Sequence, residues 1–113
     1  MTTLDGLAPQ ERRALEAFKA RLRALLGDDL VSLRLFGSRA RGEGSEESDL
    51  DVLVVLRRRD RVLCRRIVEA ALDVDLAHDT NLAPTVLSVA EFEASRECRT
   101  PFYGNVETES VAL

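Results

Sequence analysis

The chain is poor in the side chains that build thiolate metal sites and disulfide frameworks. Its 113 residues include only two cysteines, Cys64 and Cys98, and one histidine, His78. The cysteines stand far apart, without a second pair or a histidine cluster, which excludes a thiolate zinc site and gives no sign of a secreted disulfide scaffold. His78 falls on the apolar side of a predicted helix, and we interpret it as a packing residue.

Long apolar runs and a basic, apolar leader are also missing. The longest apolar stretch, around residues 53–56, is far shorter than the roughly 20 residues that a membrane-spanning helix needs. The first six residues lack the basic start and apolar block of a signal peptide. We therefore expect no membrane association and a cytoplasmic location, and the length predicts a single domain over residues 1–113.

Charge and aromatic content argue against a general nucleic-acid binder. The formal net charge is −4, and the aromatic residues, 4% of the chain, are too few and too scattered for a base-stacking platform. Six arginines nevertheless crowd into residues 57–66. Such a run is typical of a solvated face at the end of an element, and contact with a phosphate or an acidic partner stays open as an alternative.

The hydrophobic pattern predicts an α/β (α+β) fold, a small mixed β-sheet packed against helices on one side. Helical spacing predicts helices over residues 9–26, 61–78 and 90–97, the first ended by Gly27 and the last capped by Ser88. Apolar residues that alternate with polar ones, or that follow one another without a break, predict strands over residues 30–36, 50–56 and 84–88. The first two strands can pair directly, whereas the third must return across a long helix. The segment after Thr100 has no readable pattern.

Two short motifs flank the polar, glycine-rich loop between the first two strands. Asp49 and Asp51 are two residues apart at the start of a buried strand, so their side chains face the same side of the sheet. Carboxylates this close repel one another unless a cation or a proton lies between them, and hard oxygen ligands suit Mg²⁺. Gly37 and Ser38 end the preceding strand, where a sharp turn, or a short helix beginning near Ser38, could present N–H groups and a hydroxyl to a phosphate.

Either motif alone indicates little, because an isolated Asp-x-Asp is usually a strand-edge turn and an isolated Gly-Ser is usually a turn. Pairing of the two neighbouring strands would bring the phosphate-binding turn beside the two carboxylates. Metal-assisted phosphoryl transfer requires this arrangement.

The loop and its second strand resemble the signature of the nucleotidyltransferases of the DNA polymerase β superfamily, with Gly-Ser-Arg-Ala-Arg-Gly-Glu at 37–43 and Ser-Asp-Leu-Asp-Val-Leu-Val-Val at 48–55. The short length resembles the minimal members, called MNT proteins. The resemblance implies the polymerase β-like nucleotidyltransferase fold, with Gly37 and Ser38 binding the nucleotide's phosphates. It further implies that Asp49 and Asp51 are catalytic ligands of two Mg²⁺ ions and that Arg41 contacts phosphate.

The same resemblance implies transfer of a nucleoside monophosphate, expected to be AMP from ATP, to a hydroxyl, with pyrophosphate leaving. Many minimal members are encoded beside a helical HEPN-domain protein as a toxin–antitoxin pair, and some add AMP to a tyrosine of that toxin. The expected partners are therefore a nucleoside triphosphate and a HEPN-type protein. A competing hypothesis is a catalytically degenerate member that neutralises its partner by contact alone.

One position departs from the family pattern. The family's third carboxylate usually lies on the next strand, but residues 83–88 contain no acidic side chain. Residues 73–76 also alternate like a strand, and in that case Asp73 or Asp75 could take the role. If the helix continues through them, the third ligand is missing or comes from Asp79 or Glu91.

Overall fold

The computed structural model describes residues 4–43 and 48–113, which form four helices and four strands. In chain order these are α1 (Pro9–Leu26), a 3₁₀ turn (Gly27–Asp29), β1 (Leu30–Phe36), β2 (Leu50–Leu56), α2 (Arg61–His78), β3 (Leu82–Ser88), α3 (Val89–Glu97), α4 (Pro101–Glu109) and β4 (Val111–Ala112). The predicted bounds of the first three helices and of β1 and β2 are confirmed to within one residue.

Local sequence signals set the ends of the helices. Three helices begin after a residue whose side-chain oxygen accepts a backbone N–H of the first turn: Asp60 for α2, Ser88 for α3 and Thr100 for α4. Gly27, at φ 53°, ends α1 as predicted, because glycine adopts a positive φ at little steric cost.

The sheet has the order β3-β2-β1-β4 and mixed pairing. β1 and β2 are antiparallel, with Phe36 opposite Asp51, and β2 and β3 are parallel, with Asp51 opposite Ala83. β4 pairs antiparallel with the outer edge of β1. The predicted mixed sheet is confirmed, and β4 is an additional strand that the sequence did not indicate.

Helices cover both faces of this sheet, so the prediction of helices on one side is wrong. Alternate residues of β2, from Leu50 to Leu56, join the main core with the apolar sides of α1 and α2. Leu53 and Val55 face the opposite side, where they pack with α3 and α4 around Val106. The second face needs cover because β2 carries large apolar side chains in both directions.

The segment after Thr100, which had no readable pattern, forms α4 and β4. Phe102 of α4 packs edge-on against Phe36 at the end of β1, with ring centroids 5.6 Å apart. Across residues 4–43 and 48–113, no helix combines the length and apolarity that crossing a bilayer requires.

Candidate active site

The two aspartates of the loop signature lie where β2 begins in the centre of the sheet. Asp49 directly precedes the strand and is exposed, and Asp51 is its second residue and is partly buried. Because side chains alternate along a strand, Asp51 points to the face that α3 and α4 cover. The strands on both sides of β2 place Phe36 and Ala83 next to it.

Gly37 brings the backbone of the preceding turn into contact with the Asp51 carboxylate. Its φ is 78°, and a Cβ added there would overlap Oδ2 of Asp51 and lie 3.3 Å from its Cγ. Only a residue without a side chain fits this approach, and only glycine adopts this φ readily. The structure therefore brings together the Gly-Ser turn and the Asp-x-Asp pair, which are separated by a dozen residues in the chain.

The Asp51 carboxylate is held in an environment that disfavours its charge. Burial is the main cause of its raised pKa, and the negative charge of Asp49 raises the pKa further. In the part of the chain that the structure describes, no ion pair or hydrogen bond engages the carboxylate of Asp49 or Asp51. Among these described residues, the two neighbouring carboxylates therefore have no cationic side chain paired with them.

Backbone hydrogen bonds stabilise the turn after β1. The Arg41 amide donates to the Gly37 carbonyl at 3.3 Å, and the Glu43 amide donates to the Ser38 carbonyl at 2.9 Å. These bonds close one tight turn, and the short helix expected from Ser38 onward is absent from residues 38–43. Ser38 is partly buried and directly follows Gly37, the residue of this turn that contacts Asp51.

Arg41 extends from this turn towards α4. Its guanidinium donates to Glu109 at 2.9 Å and to Glu43 at 3.2 Å. The hydrogen bond to Glu109 is the largest cause of the raised pKa of Arg41, followed by the hydrogen bond to Glu43. Glu109 was not among the sequence candidates, and α4 places it beside this turn.

Arg39 points in the opposite direction, into the protein. Its two guanidinium nitrogens donate to the two carboxylate oxygens of Glu11 at 2.6 and 2.7 Å, and both side chains are almost completely buried. The sequence alone does not predict this pair. The only sequence signal was an acidic residue in the first turn of an amphipathic helix, which is ordinarily explained by the helix dipole.

The neighbouring strand supplies no third carboxylate. β3 contains no Asp or Glu, and its register sets Ala83 beside Asp51 and Thr85 beside Leu53. Within residues 4–43 and 48–113, no group of three or more His, Cys, Asp or Glu side chains is arranged to hold a metal ion.

The helical interpretation of residues 73–76 is confirmed, because α2 continues without a break to His78. The strand alternative for Asp73 and Asp75 is therefore wrong. The four acidic residues that could have supplied a third ligand all have local structural roles. Asp73 pairs with Arg21 at 3.1 Å, and Asp75 accepts a hydrogen bond from the Leu82 amide at 2.9 Å. Asp79 is the left-handed C-cap of α2, and Glu91 caps α3 and pairs with Arg59 at 2.9 Å.

Comparison with known families explains this arrangement. A family model described as "Nucleotidyltransferase domain" matches residues 12–99, which include both motifs and the strands that carry them. The chain belongs to this nucleotidyltransferase family. Two relatives from Methanocaldococcus jannaschii, both described as "putative protein adenylyltransferase", support the assignment. The first is 30% identical over 88% of this chain and 94% of its own length, and the second is 36% identical over 65% and 52%.

Solved structures of low sequence identity share the nucleotidyltransferase fold. A structure described as a "putative minimal nucleotidyltransferase" superposes with a TM-score of 0.59, at 24% identity, over 94% of this chain and 97% of that one. A chain of the toxin–antitoxin complex MntA-HpeT superposes with a TM-score of 0.53, at 21% identity, over 91% of this chain and 70% of that one. These structures confirm the expected fold, whereas the family model and the two relatives confirm the expected enzyme class, a nucleotidyltransferase.

The residues of this candidate site fit a hard divalent cation. Asp49 and Asp51 supply carboxylate oxygens that the described residues leave unpaired, and the lack of a side chain at Gly37 lets the turn lie against the Asp51 carboxylate. Mg²⁺ is commonly bound by one or two carboxylates together with water and substrate phosphates. Asp49 and Asp51 would therefore hold the ion, with its remaining ligands coming from the nucleotide and from water.

Proposed function

We propose that this chain transfers AMP from ATP to a hydroxyl group in a Mg²⁺-dependent reaction. The observation that carries the proposal is the contact between Gly37 and Asp51, beside two carboxylates that the described residues leave unpaired. Membership of the nucleotidyltransferase family supports the reaction class. Mg²⁺ and ATP are the cation and the donor that this site would take.

In the proposed reaction, the hydroxyl oxygen of the acceptor forms a bond with the α-phosphorus of ATP. The bond between that phosphorus and the oxygen bridging to the β-phosphate breaks, pyrophosphate leaves, and the acceptor hydroxyl loses its proton to water or to a phosphate oxygen. When bound, Mg²⁺ would supply positive charge that offsets the negative charge on the phosphates. Asp49 and Asp51 would hold the ion where β2 begins, because a strand is a rigid support for metal ligands.

The turn after β1 would bind the phosphates of the nucleotide. Gly37 lets the backbone approach closely, and the Ser38 hydroxyl is a hydrogen-bond donor of the kind that phosphate oxygens accept. Arg41 would add a positive charge. To bind a phosphate, its guanidinium would give up its hydrogen bond to Glu109 and form one with the nucleotide. An arginine suits this step because its planar fork can bind carboxylate or phosphate oxygens.

We propose a protein hydroxyl as the acceptor, on a HEPN-type partner that the chain neutralises as an antitoxin. The relatives described as protein adenylyltransferases support a protein acceptor, and the likeness to a chain of a toxin–antitoxin complex supports the partner. An adjacent gene encoding a small, all-helical protein would strengthen this part of the proposal.

A second candidate function is binding without chemistry. The observation that favours it is the lack of an acidic side chain on β3. In this case the fold neutralises its partner by contact, and the Asp-x-Asp pair is not needed for neutralisation.

Calorimetric titration of ATP, with and without Mg²⁺, tests the nucleotide site. We expect binding by the natural protein only with Mg²⁺, and none by Asp49→Asn/Asp51→Asn. A matched control is Asp28→Asn/Asp29→Asn, which removes the same charge from two exposed aspartates of the 3₁₀ turn. Mg²⁺-independent binding, or equal binding by all three proteins, would contradict the site.

Transfer of label from [α-³²P]ATP to the partner protein then separates the two candidate functions. Labelling that is lost in Asp49→Asn/Asp51→Asn, together with loss of neutralisation, supports the enzyme. Neutralisation that survives the double substitution supports binding alone.

A further inference from the structure

The most deeply buried charges among the described residues belong to Arg39 and Glu11. Arg39 is 3% exposed and Glu11 4% exposed, and their side chains meet through two parallel hydrogen bonds of 2.6 and 2.7 Å. One oxygen of Glu11 also accepts the Ala8 amide at 2.9 Å, at the start of α1. The pair therefore fixes the direction of the Arg39 guanidinium relative to α1.

Stability alone does not explain a pair of this kind. Taking both charges out of water carries a desolvation cost, and replacing a buried ion pair by uncharged side chains of similar volume is often neutral or stabilising. The exposed ion pair between Arg12 of α1 and Asp5, which precedes the helix, is 3.3 Å long and avoids this cost. The buried pair provides a fixed geometry, because the fork of a guanidinium fits a carboxylate in one plane.

The same guanidinium also reaches the far side of the loop. Arg39 Nη1 lies 3.4 Å from the carbonyl oxygen of Ser48, in a long hydrogen bond. Arg39 directly follows Ser38 in the chain, and Ser48 directly precedes Asp49. One buried side chain thus joins the turn after β1, the start of β2 and the first turn of α1.

We infer that Arg39 is a positioning residue for nucleotidyl transfer, which sets the distance between Ser38 and Asp49 through its bonds to Glu11 and Ser48. The inference rests on the proposed function. An arginine beside a phosphate-binding Gly-Ser turn would ordinarily be assigned to the phosphates, but this guanidinium is buried against α1. Arg39 acts on the reaction through the two ends of the loop without touching the substrate.

Two variants test the inference. Arg39→Met combined with Glu11→Gln removes both charges and keeps an acceptor for the Ala8 amide. Arg39→Lys keeps the charge and one contact to Glu11 but cannot also hold Ser48. The control is Arg12→Met/Asp5→Asn, which removes an exposed ion pair from the same end of α1.

We expect both Arg39 variants to fold and to bind ATP with nearly unchanged KM, while kcat falls about 100-fold, the order of loss that a misplacement of about 1 Å causes. A second readout is the broadening of backbone amide NMR signals by Mn²⁺ and ATP. In the natural protein the Ser38 and Asp51 signals broaden together. In the variants Asp51 still broadens, whereas the effect at Ser38 weakens. The control retains the natural kcat and the natural broadening.

The possible results separate this inference from the proposed function. A natural protein that neither transfers nucleotide nor responds to Mn²⁺ overturns both. An active natural protein with Arg39 variants that keep full kcat and the same broadening overturns the positioning role alone. If the double variant does not fold, the kcat and the Mn²⁺ broadening of Arg39→Lys decide whether Arg39 has the positioning role.

Discussion

Gly37→Ala tests whether the turn must approach Asp51 closely. Gly37 has a φ of 78°, and an added Cβ would overlap Oδ2 of Asp51. A left-handed φ costs a residue with a Cβ about 1–2 kcal/mol, and the stiffer unfolded chain offsets about 0.4–1 kcal/mol of this. The backbone effect alone should therefore lower the free energy of unfolding by about 1 kcal/mol, which corresponds to a fall in Tm of about 4 °C for a domain of this size.

Gly42→Ala is the matched control, since Gly42 has a φ of 77° and no atom within 4 Å of an added Cβ. It should have the same backbone cost and leave Asp51 in place. We expect Gly37→Ala to lose more stability than the control, because the carboxylate must move, and to lose about 100-fold in AMP transfer if that movement is about 1 Å. Differential scanning calorimetry and a labelled-ATP assay measure the two effects. Equal losses in both variants, of Tm and of rate, would refute the reasoning.

Three further predictions concern the carboxylates around the site. Burial and the charge of Asp49 raise the pKa of Asp51, so the folded state holds this proton to higher pH than the unfolded chain does, and ionisation makes folding less favourable as pH rises. Asp51→Asn should therefore stabilise the metal-free protein near neutral pH but not at about pH 3, where the Asp51 carboxyl is largely protonated in both the folded and the unfolded chain. Urea unfolding in chelator at the two pH values measures this, and a gain that is the same at both would contradict it. Arg39→Ala should lower the free energy of unfolding by about 3–5 kcal/mol because it leaves Glu11 buried and unpaired, and a loss below about 1 kcal/mol would indicate that water reaches the carboxylate. Asp75→Asn should weaken the connection from α2 to β3 by about 1 kcal/mol without slowing AMP transfer, and a rate as low as that of Asp51→Asn would place Asp75 in the site.

The central parts of the fold could be predicted because their sequence patterns are local. Residues 50–56 form a continuous apolar run of strand length, and the apolar stripe of α2 keeps helical spacing through residues 73–76. The spacing of Asp49 and Asp51 within a strand fixes their shared side. These signals were sufficient for the order of the first six elements and for the two motifs of the site.

The rest depended on contacts between distant parts of the chain. α4 contains Gly104 and Asn105, which are poor helix formers, and it is held by the packing of Phe102 and Val106 on the second face of the sheet. Glu109 meets Arg41 across 68 residues. No local sequence pattern predicts a contact between residues so far apart in the chain, so only the tertiary structure reveals this pair.

Alternate residues of β2 have two different roles, and this restricts how the sequence can evolve. Its even-numbered residues, from Leu50 to Leu56, fill the main core, and Asp51 lies on the opposite side. An insertion or deletion of one residue inside the strand would exchange the two sets, placing a carboxylate in the core and a leucine beside Gly37. Length changes before Ser48 leave this alternation intact. We therefore expect relatives of this chain to differ in length ahead of the strand and to keep the strand itself free of insertions.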